Sequence, residues 1–127
     1  MAKKDYAKEL MGYLDDNDKY KEEIPGPGKG FDVMYWAINN TGACSSKEKE
    51  LMALAIAITM RCEGCMVQHT AGCLMAGASR EEIKDAISVA TEMSGGPSFV
   101  FGAQVLDIVD QLLANDQFQQ MMKQKQG

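Results

Sequence analysis

The 127-residue sequence predicts an all-α domain, and three observations predict it. Apolar residues recur at helical spacing, and no run alternates apolar and polar residues for long enough to suggest a strand. All three prolines and most glycines fall between the helix-like segments. Two segments open on Ser-x-x-Glu, the capping box in which each side chain satisfies a free backbone N–H. The length suits one domain, residues 1–127, able to bury a core without staples.

The elements follow in order. A first helix is expected from Lys4 to Glu23, with Tyr6, Leu10, Tyr13 and Leu14 at helical spacing. The stretch Ile24-Pro25-Gly26-Pro27-Gly28-Lys29-Gly30 reads as a decisive break. A short second helix covers Phe31 to Asn39, with Phe31, Met34, Tyr35 and Ile38 on one face. The third starts at the Ser45/Glu48 capping box and runs to Met60. Its segment Leu51 to Ile58 is apolar on every side, which predicts burial all round. In a domain this small, that predicts partial cover by another subunit. The fourth helix, Glu63 to Ala76, ends at Gly77. The fifth opens on the Ser79/Glu82 box and runs to Met93. The sixth starts at Pro97, a residue suited to a first helical position, and runs to Ala114. Asn115 to Gly127 is polar and rich in Gln, an extension of that helix or a frayed end. The expectation is about six helices.

Charge excludes some functions. The net charge is −5, and the longest basic cluster is Lys3-Lys4, so there is no nucleic-acid footprint. Met1 to Tyr13 is charged and lacks a signal peptide's apolar core. Leu51 to Ile58 is too short to span a bilayer. The expected setting is the cytoplasm, where a close cysteine pair is more often catalytic or metal-binding than structural.

The chemistry concentrates in Cys62-Glu63-Gly64-Cys65-Met66-Val67-Gln68-His69. Two cysteines three apart at a helix start share a face, with Cα atoms roughly 5 Å apart, within disulfide range. The helix N-terminus favours thiolate over thiol. His69 lies one turn beyond Cys65 and is the one histidine of the chain. It suits the role of base, or of cation beside a thiolate. Glu50 is a further candidate: a carboxylate entering an apolar helix must be paired, and burial suits it to proton transfer. Its alternative is a solvated first-turn glutamate beside Lys47, Glu48 and Lys49. Cys44 and Cys73 read as packing residues. So do Phe31, Tyr35 and Trp36, with a substrate mouth as their second reading. Met52, Met60, Met66 and Met93 are expected to fill core and interface gaps.

Zinc is the competing reading of Cys62, Cys65, His69 and Cys73. On one straight helix Cys62 and Cys73 would be roughly 16 Å apart, so four ligands cannot share an ion. Three could, with Glu50 completing the shell. The expectation is no metal and no cofactor.

From Ser45 to about Val109 the sequence resembles the carboxymuconolactone decarboxylase family, in its alkyl hydroperoxidase D-like branch. The resemblance rests on Lys47 to Ala55 with Glu50, on Cys62-Glu63-Gly64-Cys65 with His69, on Ala76-Gly77-Ala78-Ser79-Arg80-Glu81-Glu82-Ile83, and on Gly95-Gly96-Pro97. It implies an all-α fold with an antiparallel helical hairpin around the site, and homo-oligomers, usually trimers or hexamers. It implies peroxidase or disulfide-reductase chemistry on a peroxide or disulfide substrate, with a partner thiol as reductant. Cys65 would be the peroxidatic cysteine, Cys62 the resolving one, and His69 and Glu50 the proton relay. Gly64 is a departure: hydroperoxidase D proper has a second histidine there. The decarboxylase that names the family usually lacks the cysteine pair. A lactone decarboxylase or isomerase using Glu50 and His69 is the alternative enzyme, and a non-catalytic oligomeric binding protein the alternative class.

Overall fold

Helix starts in this protein follow the capping chemistry of its sequence. The computed structural model describes residues 4–126; Lys3 and Gly127 lie outside that range. Among the described residues there are seven helices and no strand. They are α1 (Tyr6–Glu23), α2 (Pro25–Asn40), α3 (Ser46–Met60), α4 (Glu63–Met75), α5 (Arg80–Ser94), α6 (Gly96–Leu113) and α7 (Asp116–Gln126).

Asp5 caps α1 by accepting the Lys8 amide at 3.1 Å. Both capping boxes form. Ser45 Oγ accepts the Glu48 amide at 3.1 Å, and Glu48 Oε1 accepts the Ser45 amide at 2.9 Å. Ser79 and Glu82 repeat the pattern at 3.0 and 2.9 Å.

The expected break at residues 24–30 is not a loop. It is the opening of α2, which starts at Pro25. First-turn amides have no partner within a helix, so a proline there forfeits nothing. Gly28 has its own reason. A Cβ there would stand 3.0 Å from the Lys21 Cα, so α1 and α2 cross at glycine distance.

The C-terminal tail is likewise a separate helix. Asn115 Oδ1 accepts the Phe118 amide at 2.9 Å, the cap that starts α7. Phe118, 2% exposed, anchors α7 in the core, with Met121 and Met122 packed partly against it.

Helices α3 and α4 form the antiparallel hairpin. The turn between them places Arg61 in the left-handed region, at φ 58°. Glu50, near the start of α3, meets Gly72, near the end of α4. Leu54 and Ile58 of α3, Met66 and Val67 of α4, and Ile108 and Leu112 of α6 are fully buried.

Within the single chain α3 is covered on part of its circumference only, and the cover expected from another subunit lies outside it. Met52, Ile56 and Met60 lie on an open face. Of the four methionines expected to fill gaps, Met66 is in the core and Met93 is exposed with the other two. Phe31 and Trp36 are each 63% exposed and Tyr35 45%, so core packing is not their role. Helix α2 packs on α1 and α3 and leaves much of its apolar surface, from Phe31 to Ile38, outside the core. Cys73 is buried as expected, whereas Cys44 is exposed, in the turn before α3. No helix among the described residues is long and apolar enough to cross a membrane.

Candidate functional site

Three helices build the site around the α3–α4 hairpin. At the N-terminus of α4, Cys62 and Cys65 are joined in a disulfide with their Cα atoms 5.2 Å apart, close to the separation helical spacing gives. Cys62 is the N-cap residue. Its Sγ accepts the Cys65 amide at 3.3 Å, a sulfur placed where a helix favours negative charge. Both cysteines are partly exposed.

One turn beyond Cys65, His69 turns its Nδ1 to Glu50 Oε2 at 2.9 Å. Glu50 is 3% exposed, so the solvated reading of this residue is excluded. The second carboxylate oxygen, Oε1, accepts the Tyr35 hydroxyl at 2.6 Å. Burial pushes the Glu50 carboxyl up, but the hydrogen bonds from His69 and Tyr35 outweigh it, and the group sits below its ordinary value. Glu50 is therefore an ionised, fully committed acceptor. It fixes the imidazole tautomer: Nδ1 is engaged and Nε2 has no protein partner among the described residues. Tyr35 is the complementary donor. Burial first, then its bond to Glu50, pushes its phenol above the ordinary value, so it stays protonated.

Two glycines on α4 make room for this arrangement. A Cβ on Gly72 would overlap Glu50 Oε2 and lie 2.8 Å from Cδ. A Cβ on Gly64 would lie 2.9 Å from Tyr13 Cε1, because the Tyr13 ring of α1 fills that space. Helix α1 is held there by Asn17 donating to Gln68 Oε1 at 2.7 Å and by the Lys4–Glu63 ion pair at 2.5 Å.

On the far side of Glu50 opens a cavity of about 520 Å³. Glu50 and Gly72 form its floor, with Tyr35, Trp36, Asn39 and Lys125 among its walls. This gives Tyr35 and Trp36 the mouth-lining reading. Cys73 is close by but chemically quiet: burial, and next the Glu50 charge, push its thiol up to about 12.

The structure thus brings Glu50 and His69 into contact, and the disulfide one turn away on the same helix. Sequence reasoning missed the donor role of Tyr35, the close approach at Gly72 and the presence of Lys125. Gly72 had a legible signal: it falls three residues after His69, where a small residue admits a side chain from a neighbouring helix. Tyr35 and Lys125 had none, since only tertiary packing brings them there.

Relatives agree with this architecture. The model of the carboxymuconolactone decarboxylase family matches residues 25–107, so α2 with Tyr35 lies inside the family region and not before it. An uncharacterised protein from Cupriavidus necator is 30% identical over 90 residues, covering 71% of this chain and 80% of its own length. Uncharacterised protein 4 of the cox locus of Paracoccus denitrificans is 34% identical over 94 residues, covering 71% and 85%. Among solved structures, an apo carboxymuconolactone decarboxylase family protein from Legionella pneumophila superposes with a TM-score of 0.78 at 30% identity, covering 83% of this chain and 94% of its own. A protein of the same family from Thermotoga maritima, described in connection with an antioxidative response, gives 0.72 at 24%, covering 81% and 91%; at that identity the likeness concerns the fold alone. With the family model spanning most of the fold and relatives at this identity, the chain belongs to the carboxymuconolactone decarboxylase family.

Proposed function

We propose that this protein is a thiol-dependent oxidoreductase of the alkyl hydroperoxidase D-like kind. The observation that supports it best is the Cys62–Cys65 disulfide at a helix N-terminus, one turn from an imidazole held by a buried carboxylate. That arrangement has what thiol chemistry needs: stabilised thiolates, a resolving sulfur in reach, and a group to move protons.

With a peroxide, the Cys65 thiolate attacks one oxygen and the O–O bond breaks. The leaving alkoxide takes a proton from His69, and Cys65 becomes a sulfenic acid. Cys62 then gives up its proton and attacks the Cys65 sulfur; the sulfenic oxygen takes that proton and leaves as water, closing the disulfide. A dithiol reductant restores both thiols through a mixed disulfide, supplying two electrons and two protons. With a disulfide substrate the same pair works by exchange alone. Throughout, Glu50 stays ionised, orients His69 and stabilises its cationic form. Tyr35 keeps Glu50 in place.

A homo-oligomer, trimer or hexamer, belongs to this reading; the open face of Met52, Ile56 and Met60 is the surface that assembly would cover. Light scattering of the purified protein tests it. A cytoplasmic setting, with a cellular thiol as reductant, belongs to the same reading.

The decisive experiment follows peroxide consumption with a dithiol reductant, in wild type and in Cys65→Ser. The expected result is loss of turnover in the variant. Equal rates refute the thiol reading. Activity on a lactone that survives loss of both cysteines would establish the acid–base alternative.

A further inference from the structure

We infer that the outer stripe of α2 pairs with the α2 of a second copy of this chain about a two-fold axis, and that this pairing completes the Glu50 site. Helix α2 has 16 residues, and Gly28 is the only buried one among them. Beyond its first turn it is tied down by polar contacts: Asp32 to Lys21 at 3.1 Å, Tyr35 to Glu50 at 2.6 Å, Ser46 to Asn39 at 3.2 Å, and Lys49 to the Ile38 and Thr41 carbonyls. A helix takes most of its stability from packing an apolar face, and this one leaves its apolar face open. Phe31, Met34, Tyr35 and Ile38, at i, i+3, i+4 and i+7, form one stripe, each between 45% and 63% exposed.

The occupant follows from the spacing of the stripe. Phe31 and Ile38 lie equally far from the midpoint between Met34 and Tyr35, so the stripe reads alike in both directions. An antiparallel copy with its two-fold axis at that midpoint sets Phe31 against the partner's Ile38 and Met34 against the partner's Tyr35, each pair twice. Lys29 and Asp32 fall off the stripe, so no like charges meet across the axis. The four side chains leave roughly 400 Å² of surface open, about half of the ~800 Å² that each partner buries in a standard interface. A partner of other sequence has no need of a stripe that reads alike both ways. The site gains from the same contact, because Tyr35 belongs to both. Its ring lies in the stripe, and its hydroxyl donates to Glu50 Oε1. Trp36, next in sequence, walls the cavity whose floor is Glu50. The pairing therefore holds α2 over that cavity and Tyr35 on Glu50; without it, the polar ties and the packing of Gly28 do so alone.

The inference extends the oligomer proposed above, which covers α3, and its test is independent of thiol turnover. Mass is measured by light scattering and sedimentation for wild type, Phe31→Glu, Ile38→Lys, the double variant and Met52→Glu. Each single α2 variant sets a charge against an apolar side chain of the partner, and the expected result is half the wild-type mass. The double variant sets opposite charges across both pairs and restores it. Hydrogen exchange of α2 follows the mass, faster in the single variants and slower again in the double, while α3 and α4 stay protected and so report an intact fold. Wild-type mass in both single variants, or no recovery in the double, overturns the inference. So does a wild type that sediments as a single copy and binds phosphatidylcholine vesicles, which assigns the stripe to a lipid surface. Met52→Glu reports on the α3 face separately: a mass lowered there alone supports the α3 assembly and overturns the α2 pairing. If Cys65→Ser retains peroxide turnover, the thiol reading fails while the pairing stands on its own.

Discussion

Replacing Gly72 with alanine adds one methyl group and tests the whole relay. The new Cβ would overlap Glu50 Oε2 and stand 2.8 Å from Cδ and 3.3 Å from Oε1. Both helix backbones are fixed by the hairpin, so the carboxylate is the part that must move. Oε2 is the atom that binds His69 at 2.9 Å, and that bond is lost first. A hydrogen bond to a charged group contributes about 1.5–3 kcal/mol. Since each ~1.4 kcal/mol is tenfold in rate, turnover should fall roughly ten- to hundredfold. Stability should change less, because alanine is better than glycine inside a helix by about 1 kcal/mol, offsetting part of the loss. Gly12, on α1 with nothing within 4 Å of its added Cβ, is the matched control. Gly12→Ala should gain up to about 1 kcal/mol and keep full activity. The assay is peroxide consumption with a dithiol, beside thermal unfolding of each variant. A Gly72→Ala protein with wild-type turnover and an unchanged His69 titration would refute the argument that Glu50 must stand where it does.

Other predictions follow from the same geometry. Tyr35→Phe keeps the ring and removes the donor to Glu50 Oε1; it should cost about 1.5–3 kcal/mol in activity, and the acid limb of the rate profile should move to higher pH as Glu50 becomes easier to protonate. The folded pKa of Glu50 lies below its ordinary 4.5, so its ionisation contributes stability that is complete above that value and is lost as pH falls through the folded one. Denaturant midpoints from pH 7 to pH 3 should therefore fall more steeply in wild type than in Glu50→Gln. Phe118→Ala removes the buried anchor of α7 and should cost about 3–5 kcal/mol of that helix's docking, read as lost hydrogen-exchange protection confined to α7 and its contacts.

Much of the site was legible because it is local. Cys62, Cys65 and His69 lie within eight residues, and helical spacing alone placed them on one face. Glu50 was half legible: an acid entering an apolar helix demanded a partner, but which partner depends on how α3 and α4 fold together. Capping boxes marked the starts of α3 and α5, since both partners of each box lie within one turn. Errors came where local signals have two meanings. Pro25 and Pro27 break a helix interior yet suit a first turn, and only the packing of Gly28 on Lys21 shows that α2 begins there. The tail resembles a frayed end by composition, and it is the burial of Phe118, with Met121 and Met122 beside it, that anchors α7. An apolar run such as Leu51 to Ile58 states how much surface needs cover, not which surface covers it.

Gly64 now has a structural cause. A histidine between the cysteines, as in hydroperoxidase D proper, needs space outside the first turn of α4. Here Tyr13 fills that space, with its Cε1 and Cζ at 2.9 and 3.2 Å from where a Cβ would stand. Tyr13 cannot simply swing away, because Asn17 and Lys4 tie α1 to Gln68 and Glu63 on either side of it. The missing histidine and the position of α1 are one feature, since a side chain at residue 64 and this placement of Tyr13 exclude each other. The cost to the chemistry is specific. A histidine at residue 64 would add a second imidazole between the cysteines; the Tyr13 ring packs against that position instead. Under the proposed function, proton movement then falls on His69 alone, which Glu50 holds and Tyr35 in turn steadies. Peroxide cleavage must give a proton to a leaving oxygen, whereas thiol–disulfide exchange releases a thiolate, which can leave without one. Tyr13 in residue 64's space therefore leaves His69 as the one imidazole near the cysteine pair.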